Sequence, residues 1–226
     1  MTRTPADVAR IALSCLDLTS LNDHDGQTEV AALCERAAAT ASRGPVAAVC
    51  VWPRLARFAR VQAPNQVAVA AVANFPDGSS DVQRALRDTA DIVQAGAQEV
   101  DLVLPYRSLL AGDLNACQRV LEAVRRASEG LILKVILETG ELREPGFIEQ
   151  AAQLALDAGA DFLKTSTGKT PVSATPQAAQ LMLRTFANDA QARGRVGFKA
   201  SGGIRRIADA APYLDLVAGE LGAAAL

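Results

Sequence analysis

The chain has 226 residues, of which half are hydrophobic and 21% are charged, and its formal net charge is −2. This composition is typical of a globular protein and excludes a disordered or fibrous one. There is no basic run to bind nucleic acid, no apolar stretch of the roughly 20 residues that span a bilayer, and no signal-peptide core in the first ten residues, so we expect a cytoplasmic protein.

Seven apolar runs of strand length alternate along the chain with longer amphipathic segments of helical length. The runs cover residues 12–18, 46–52, 67–75, 99–105, 131–138, 161–167 and 196–201. Asp113 and Thr175 are predicted to cap two of the intervening helices. Strands that alternate with helices in this way predict βαβ units and a parallel sheet, in one domain that spans residues 1–226.

Seven parallel strands fit either an open doubly wound sheet or most of an eight-stranded barrel. No G-x-G-x-x-G follows the first strand, which disfavours a dinucleotide-binding sheet. Charged residues inside the strands favour a TIM-type (β/α)8 barrel, in which catalytic groups lie at the carboxyl ends of strands. Residues 204–226 have a helical pattern, with Pro212 and Gly219 as candidate breaks. We therefore predict that the eighth strand and helix are absent from these residues, which leaves the first and seventh strands with unpaired edges.

Five of the apolar runs contain an ionisable side chain: Asp17, Asp101, Lys134, Lys164 and Lys199. Burying a charge is costly unless it is paired or functional, so a structural ion pair is the alternative for any one of them. Lysine is seldom used for such a pair, because arginine makes more hydrogen bonds. Lys134 falls early in its strand, and we predict for it a structural role towards the end of the barrel opposite the catalytic one.

Lys164 and Lys199 lie in neighbouring predicted strands. A free lysine is almost fully protonated at pH 7 and is then no nucleophile. A second ammonium group nearby should lower the pKa of Lys164 and leave a neutral amine that can attack a carbonyl carbon. Asp101 can reach across the mouth of the barrel as a proton carrier. Two lysines and a carboxylate therefore predict imine chemistry.

The sequence offers few ligands for a metal ion. The only histidine, His24, is predicted to lie in a solvated loop, and no two cysteines form a C-x-x-C pair. We therefore expect no metal ion in the site. The cysteines are interpreted as small buried hydrophobes in a reducing compartment: Cys15, Cys34, Cys50 and Cys117.

Seven segments resemble, in chain order, the sequence blocks of deoxyribose-phosphate aldolases: CLDLTSLN, AAVCVWPR, VANFPDG, EVDLVLPYRSLLAGD, LKVILETGEL, GADFLKTSTGK and GFKASGGIR. The resemblance implies reversible cleavage of 2-deoxy-D-ribose 5-phosphate to acetaldehyde and D-glyceraldehyde 3-phosphate, without a cofactor, in deoxyribonucleotide catabolism. It implies that Lys164 forms the Schiff base, that Lys199 is the second active-site lysine, and that Asp101 relays protons.

The same resemblance implies a binding site for a small phosphorylated sugar. Asp17 and Thr19 should contact substrate hydroxyls, whereas Gly168, Lys169, Gly202 and Gly203 should surround the phosphate. The family's Gly-x-Ser-Ser phosphate contact has no counterpart before the end of this sequence, so we expect weaker phosphate binding. Two alternatives stay open: another lysine-dependent barrel aldolase, such as a transaldolase or keto-acid aldolase, and a catalytically impaired barrel retained for binding. The sequence also leaves the oligomeric state open, a homo-oligomer included.

Overall fold

The computed structural model describes residues 3–225, in which seven parallel strands form one curved sheet. The strands are hydrogen-bonded in chain order, from first to seventh. They are β1 (Asp17–Ser20), β2 (Ala48–Val51), β3 (Ala68–Ala73), β4 (Glu99–Val103), β5 (Ile132–Ile136), β6 (Phe162–Lys164) and β7 (Gly197–Lys199).

Ten α-helices of the described residues flank this sheet, and short 3-10 turns cover Ala41–Arg43 and Ala223–Ala225. The helices are α1 (Pro5–Ser14), α2 (Gln27–Ala39), α3 (Pro53–Gln62), α4 (Val82–Gln94), α5 (Tyr106–Leu110), α6 (Leu114–Ala127), α7 (Thr139–Leu142), α8 (Pro145–Asp157), α9 (Pro176–Asn188) and α10 (Ile207–Leu221).

The predicted helix caps are confirmed. The Asp113 carboxylate accepts a hydrogen bond of 3.0 Å from the Ala116 N–H at the start of α6. The Thr175 hydroxyl accepts one of 3.2 Å from the Ala178 N–H at the start of α9. Each side chain satisfies an N–H group that has no partner within its helix, and so fixes where the helix begins.

The predicted first strand at residues 12–18 is wrong except for its last two residues. Residues 5–14 form α1, because the Thr4 hydroxyl caps the first turn and Pro5 occupies the first helical position, where its missing N–H costs nothing. Cys15 follows the helix as its C-cap and is exposed, so its predicted burial is also wrong. Burial of the other three cysteines is confirmed.

The sheet is open between its first and last strands, as predicted. Within residues 3–225 there is no eighth strand, and β1 and β7 each pair with one neighbour only. Helix α10 continues through both Pro212 and Gly219, so neither residue is a break. It packs against α1 and α9 beside the gap, and Arg3 forms an ion pair of 2.8 Å with Asp215 on it. No helix in the described part of the chain has the length and apolar character needed to cross a membrane.

Candidate active site

The ionisable residues of the strands meet in one buried cluster. Asp101 pairs in register with Lys134, and Lys164 pairs in register with Lys199. The Lys164 Nζ lies 2.5 Å from one carboxylate oxygen of Asp101, and the Lys134 Nζ lies 3.1 Å from the other. The Asp101 carboxylate is completely buried between these two ammonium groups.

A second carboxylate extends the cluster to the open edge of the sheet. The Asp17 carboxylate on β1 lies 2.8 Å from the Lys134 Nζ and 2.8 Å from the Lys199 Nζ. The Lys199 ammonium also donates to the Cys15 carbonyl oxygen, at 3.3 Å. The side chain of Lys199 therefore spans the gap between β7 and β1.

The prediction that Lys134 lies away from the catalytic charges is wrong. Its ammonium contacts three carboxylates, those of Asp17, Glu99 and Asp101, at 2.6 to 3.1 Å. Sequence reasoning also missed Glu99, although it precedes Asp101 by two residues and so shares its face of the strand. The sequence contained a signal for the place of Lys134 in the cluster. Lys134 is the third residue of β5 and Asp101 is the third residue of β4, and parallel pairing in this register brings them together.

The charges of the cluster stabilise one another. Burial alone would raise the pKa of Asp101, but the neighbouring Lys134 and Lys164 ammonium groups outweigh it and lower that pKa. Burial would lower the pKa of Lys164, but the adjacent Asp101 carboxylate outweighs it, and the pKa is raised. The expectation that Lys199 lowers the pKa of Lys164 is therefore wrong for this arrangement, because Lys199 is directed to Asp17.

The predicted phosphate residues lie on two loops that touch. Gly168 follows β6 and Gly202 follows β7, and both have left-handed backbones, with φ of 77° and 84°. A Cβ atom added to Gly202 would lie 3.4 Å from the Gly168 Cα and 2.4 Å from the Ser173 Oγ, so only glycine fits this approach. Lys169 and Gly203 are exposed beside them. The predicted set is thus brought together at the carboxyl ends of β6 and β7.

A cleft of about 1170 Å³ joins the cluster to the loop after β7. It lies between β1 and β7, with α1 and α10 as its outer walls, and Asp17, Lys164, Lys199 and Gly202 all line it. Thr19 also lines the cleft, is exposed, and donates from its hydroxyl to the Asp17 carbonyl oxygen at 3.2 Å. A small molecule can therefore reach the Lys164 side of the cluster through the open edge of the sheet.

The carboxylates of the cluster surround an ammonium group rather than a metal site. Within residues 3–225, no group of three or more histidine, cysteine, aspartate or glutamate side chains is arranged to hold a metal ion. His24 lies exposed in the loop after β1, as predicted. The arrangement supplies a buried amine, a carboxylate in contact with it, and a second amine beside the opening. These groups suit addition of the amine to a carbonyl compound.

Comparison with known proteins gives the chain a family. The sequence profile of the DeoC/LacD family aldolases matches residues 11–226. A solved structure from Coccidioides immitis, assigned provisionally as a deoxyribose-phosphate aldolase, is 30% identical with a TM-score of 0.83, over 95% of this chain and 82% of that one. The aldolase QR15 is 28% identical with a TM-score of 0.81, over 91% and 87% of the two chains.

A structure from Toxoplasma gondii, also assigned provisionally as a deoxyribose-phosphate aldolase, has a TM-score of 0.88 at 25% identity, over 98% of this chain and 88% of that one. The profile match, these neighbours and the buried lysine–aspartate pair on parallel strands agree. The chain belongs to the DeoC/LacD family and is a class I aldolase.

Proposed function

We propose that the protein cleaves 2-deoxy-D-ribose 5-phosphate reversibly to acetaldehyde and D-glyceraldehyde 3-phosphate through an imine on Lys164. The observation that carries the proposal is the 2.5 Å contact between the Lys164 Nζ and a completely buried Asp101 carboxylate, at the inner end of an open cleft. Family membership supports an aldol reaction, and the names of two neighbours support this substrate.

Imine formation begins from the neutral amine of Lys164, after its ammonium group has lost a proton to water in the cleft. The neutral amine adds to the C1 aldehyde, and the carbinolamine loses water to give a protonated imine. Loss of the proton from the C3 hydroxyl then lets the C2–C3 bond break. Its electron pair moves to the imine, which leaves an enamine, and D-glyceraldehyde 3-phosphate departs. Protonation of the enamine at C2 and hydrolysis of the imine release acetaldehyde and regenerate the lysine.

The groups around Lys164 have separate parts in this sequence. Asp101 and Lys199, acting through a water molecule, exchange protons with the C3 hydroxyl and with C2. Asp17 and Thr19, at the open edge, hold substrate hydroxyls. The lysine charges around Asp101 hold it in the ionised form and lower its pKa.

The substrate phosphate binds where the loops after β6 and β7 meet. Lys169 offers an exposed cation, and the turn at Gly202 and Gly203 offers backbone N–H groups ahead of α10. The close approach of Gly168 to Gly202 supports a site in which both loops face one anion. No observation favours a transaldolase, a keto-acid aldolase or an inactive barrel over this assignment.

Covalent trapping tests the chemistry directly. Acetaldehyde and borohydride should add one reduced two-carbon unit to Lys164, located by peptide mass mapping, and Lys164→Met should abolish the label. Lys134→Met serves as the matched control, because that lysine is as buried as Lys164 but contacts three carboxylates. A label that maps to Lys134, or that persists in Lys164→Met, would overturn the assignment. A coupled assay for D-glyceraldehyde 3-phosphate tests the substrate.

A further inference from the structure

Glu138 is a buried carboxylate that has no role in the proposed reaction. It lies just beyond β5, is completely shielded from solvent, and has a left-handed backbone with φ 58° and ψ 55°. Such a conformation is uncommon for a residue other than glycine. Among residues 3–225, no lysine, arginine or histidine forms an ion pair with it. A buried, unneutralised carboxylate is costly unless its hydrogen bonds are specific.

Within residues 3–225, the hydrogen-bond partners of its carboxylate all belong to one loop, the segment 165–175 between β6 and α9. The Thr167 N–H donates to both carboxylate oxygens, at 3.3 Å each, and the Thr167 hydroxyl donates to one of them. The Thr170 hydroxyl donates to the other, at 3.2 Å. The Thr167 hydroxyl oxygen in turn accepts the Lys169 N–H at 3.0 Å. Glu138 thus fixes the backbone on both sides of Gly168.

The same loop is confined by close contacts on its other sides. A Cβ atom on Gly140 would lie 2.0 Å from the Val172 carbonyl oxygen, so the turn after β5 touches the loop directly. A Cβ atom on Gly202 would collide with Ser173. Backbone hydrogen bonds hold the two ends of the loop, from the Thr139 N–H to the Thr165 carbonyl oxygen at 2.9 Å and from the Ala174 N–H to the Ser201 carbonyl oxygen at 3.2 Å. The Glu138 carboxylate supplies the directional bonds to the middle of the loop, on both sides of Gly168.

We propose that Glu138 is a positioning residue that determines the preference of the enzyme for a phosphorylated substrate. It holds Gly168 and Lys169 opposite the turn at Gly202, where both loops can face one phosphate group. Glu138 does not touch the reacting carbon atoms, and the Lys164–Asp101 pair keeps its geometry without it. This inference rests on the proposed function, because it assigns Glu138 to the phosphate end of that same site.

Binding of inorganic phosphate, measured by isothermal titration calorimetry, tests the proposal without turnover. Glu138→Ala should weaken phosphate binding about tenfold or more, because hydrogen bonds to a charged group are the strong ones. Glu138→Gln keeps one acceptor oxygen and should stay within about threefold of the parent. Glu141→Ala is the matched control, since this carboxylate on α7 has no side-chain hydrogen bond in the described part of the chain. It should leave phosphate binding unchanged.

Kinetics with two substrates separate positioning from general damage. For Glu138→Ala, KM for 2-deoxyribose 5-phosphate should rise about tenfold, whereas kcat/KM for unphosphorylated 2-deoxyribose should stay near the parent value. Equal losses on both substrates, or unchanged phosphate binding in Glu138→Ala, would overturn the inference, as would a parent that binds no phosphate.

If Glu138→Ala fails to fold, Thr167→Val removes the hydroxyl hydrogen bond to Glu138 from the loop side and should change phosphate binding and KM in the same directions. Borohydride labelling of Lys164 is independent of the phosphate, so it judges the proposed chemistry separately.

Discussion

The two sides of the curved sheet are built differently. On the closed side, β3, β4 and β5 consist almost entirely of buried residues, and α4, α6 and α8 each bury several side chains against them. On the open side, the three residues of β7 are half-buried, and no residue of α10 is fully buried. The closed side has the burial of a packed core, whereas the open side has a cleft.

The charges of the site follow the same division. Asp101 and Lys134, on the closed side, each contact two or more oppositely charged groups and are almost completely buried. The Lys199 side chain, on the open side, is 15% exposed and contacts one carboxylate and one carbonyl group. The proposed nucleophile, Lys164 on β6, is paired with a carboxylate of the closed side. The second lysine, Lys199, lies beside the open cleft and is paired with Asp17 of β1.

The largest effect should come from the nucleophile itself. Lys164→Met should lower aldol cleavage by at least about 10⁴-fold, because no other group forms the imine. The fold should be retained, since Asp101 keeps its contact with Lys134. Steady-state assays with circular dichroism spectra measure both. Cleavage at more than about a hundredth of the parent rate would mean that the reaction does not depend on Lys164.

The next largest effect should be on the free energy of unfolding, and it should differ between the closed and the open side. Lys134→Met leaves Glu99 without a cationic partner and deprives Asp17 and Asp101 of one each, so it should cost about 3–5 kcal/mol of unfolding free energy. Lys199→Met removes a partly exposed contact and should cost roughly 1–2 kcal/mol. Urea denaturation of both variants gives the comparison. Equal losses of unfolding free energy would show that the ion pairs of the open side stabilise the fold as much as those of the closed side.

Much of this division could be predicted from the sequence. The apolar runs gave the strands β2 to β7, and the lack of an alternating pattern after Gly203 gave the open edge. The start of the chain was harder, because an Ala- and Leu-rich run fits a strand and a helix equally well. The cap at Thr4 and Pro5, eight and seven residues before the start of that run, favours the helix.

The electrostatics of the site could be predicted only in part. The sequence identified Asp17, Asp101, Lys164 and Lys199 as charges inside strands. It could not give their pairing, which depends on the register of the strands and on the rotamer of each side chain. Proximity of two lysines suggested repulsion, but each ammonium is directed to a different carboxylate, and those contacts dominate.

A pH profile would test that pairing. Only the neutral amine of Lys164 can attack, and Asp101 raises its pKa against the lowering effect of burial. The rate of imine formation should therefore rise about tenfold per pH unit between pH 7 and 9. A raised lysine pKa keeps its stabilising contribution complete below the unfolded value of about 10.4, so the fold should persist over this range. A rate that is already level at pH 7 would restore the expectation that Lys199 keeps Lys164 neutral.

The smallest effect should come from shortening a side chain that lines the cleft. Val217 on α10 is half-buried, whereas Val124 on α6 is completely buried, so the two valines form a matched pair across the division. Val124→Ala should cost about 2 kcal/mol of unfolding free energy, because two buried methyl groups are lost and a cavity remains.

Val217→Ala should cost less than about 1 kcal/mol, since its side chain borders a cleft that already admits solvent. Chemical denaturation of the two variants measures the difference, and an unchanged denaturant dependence would confirm that both unfold from the same native state. If Val217→Ala lowers the free energy of unfolding as much as Val124→Ala does, α10 packs as part of the core. Helix α10 would then cover the gap between β1 and β7, although these strands are not paired with each other. Substrate would then have to enter at the carboxyl ends of the strands rather than between β1 and β7.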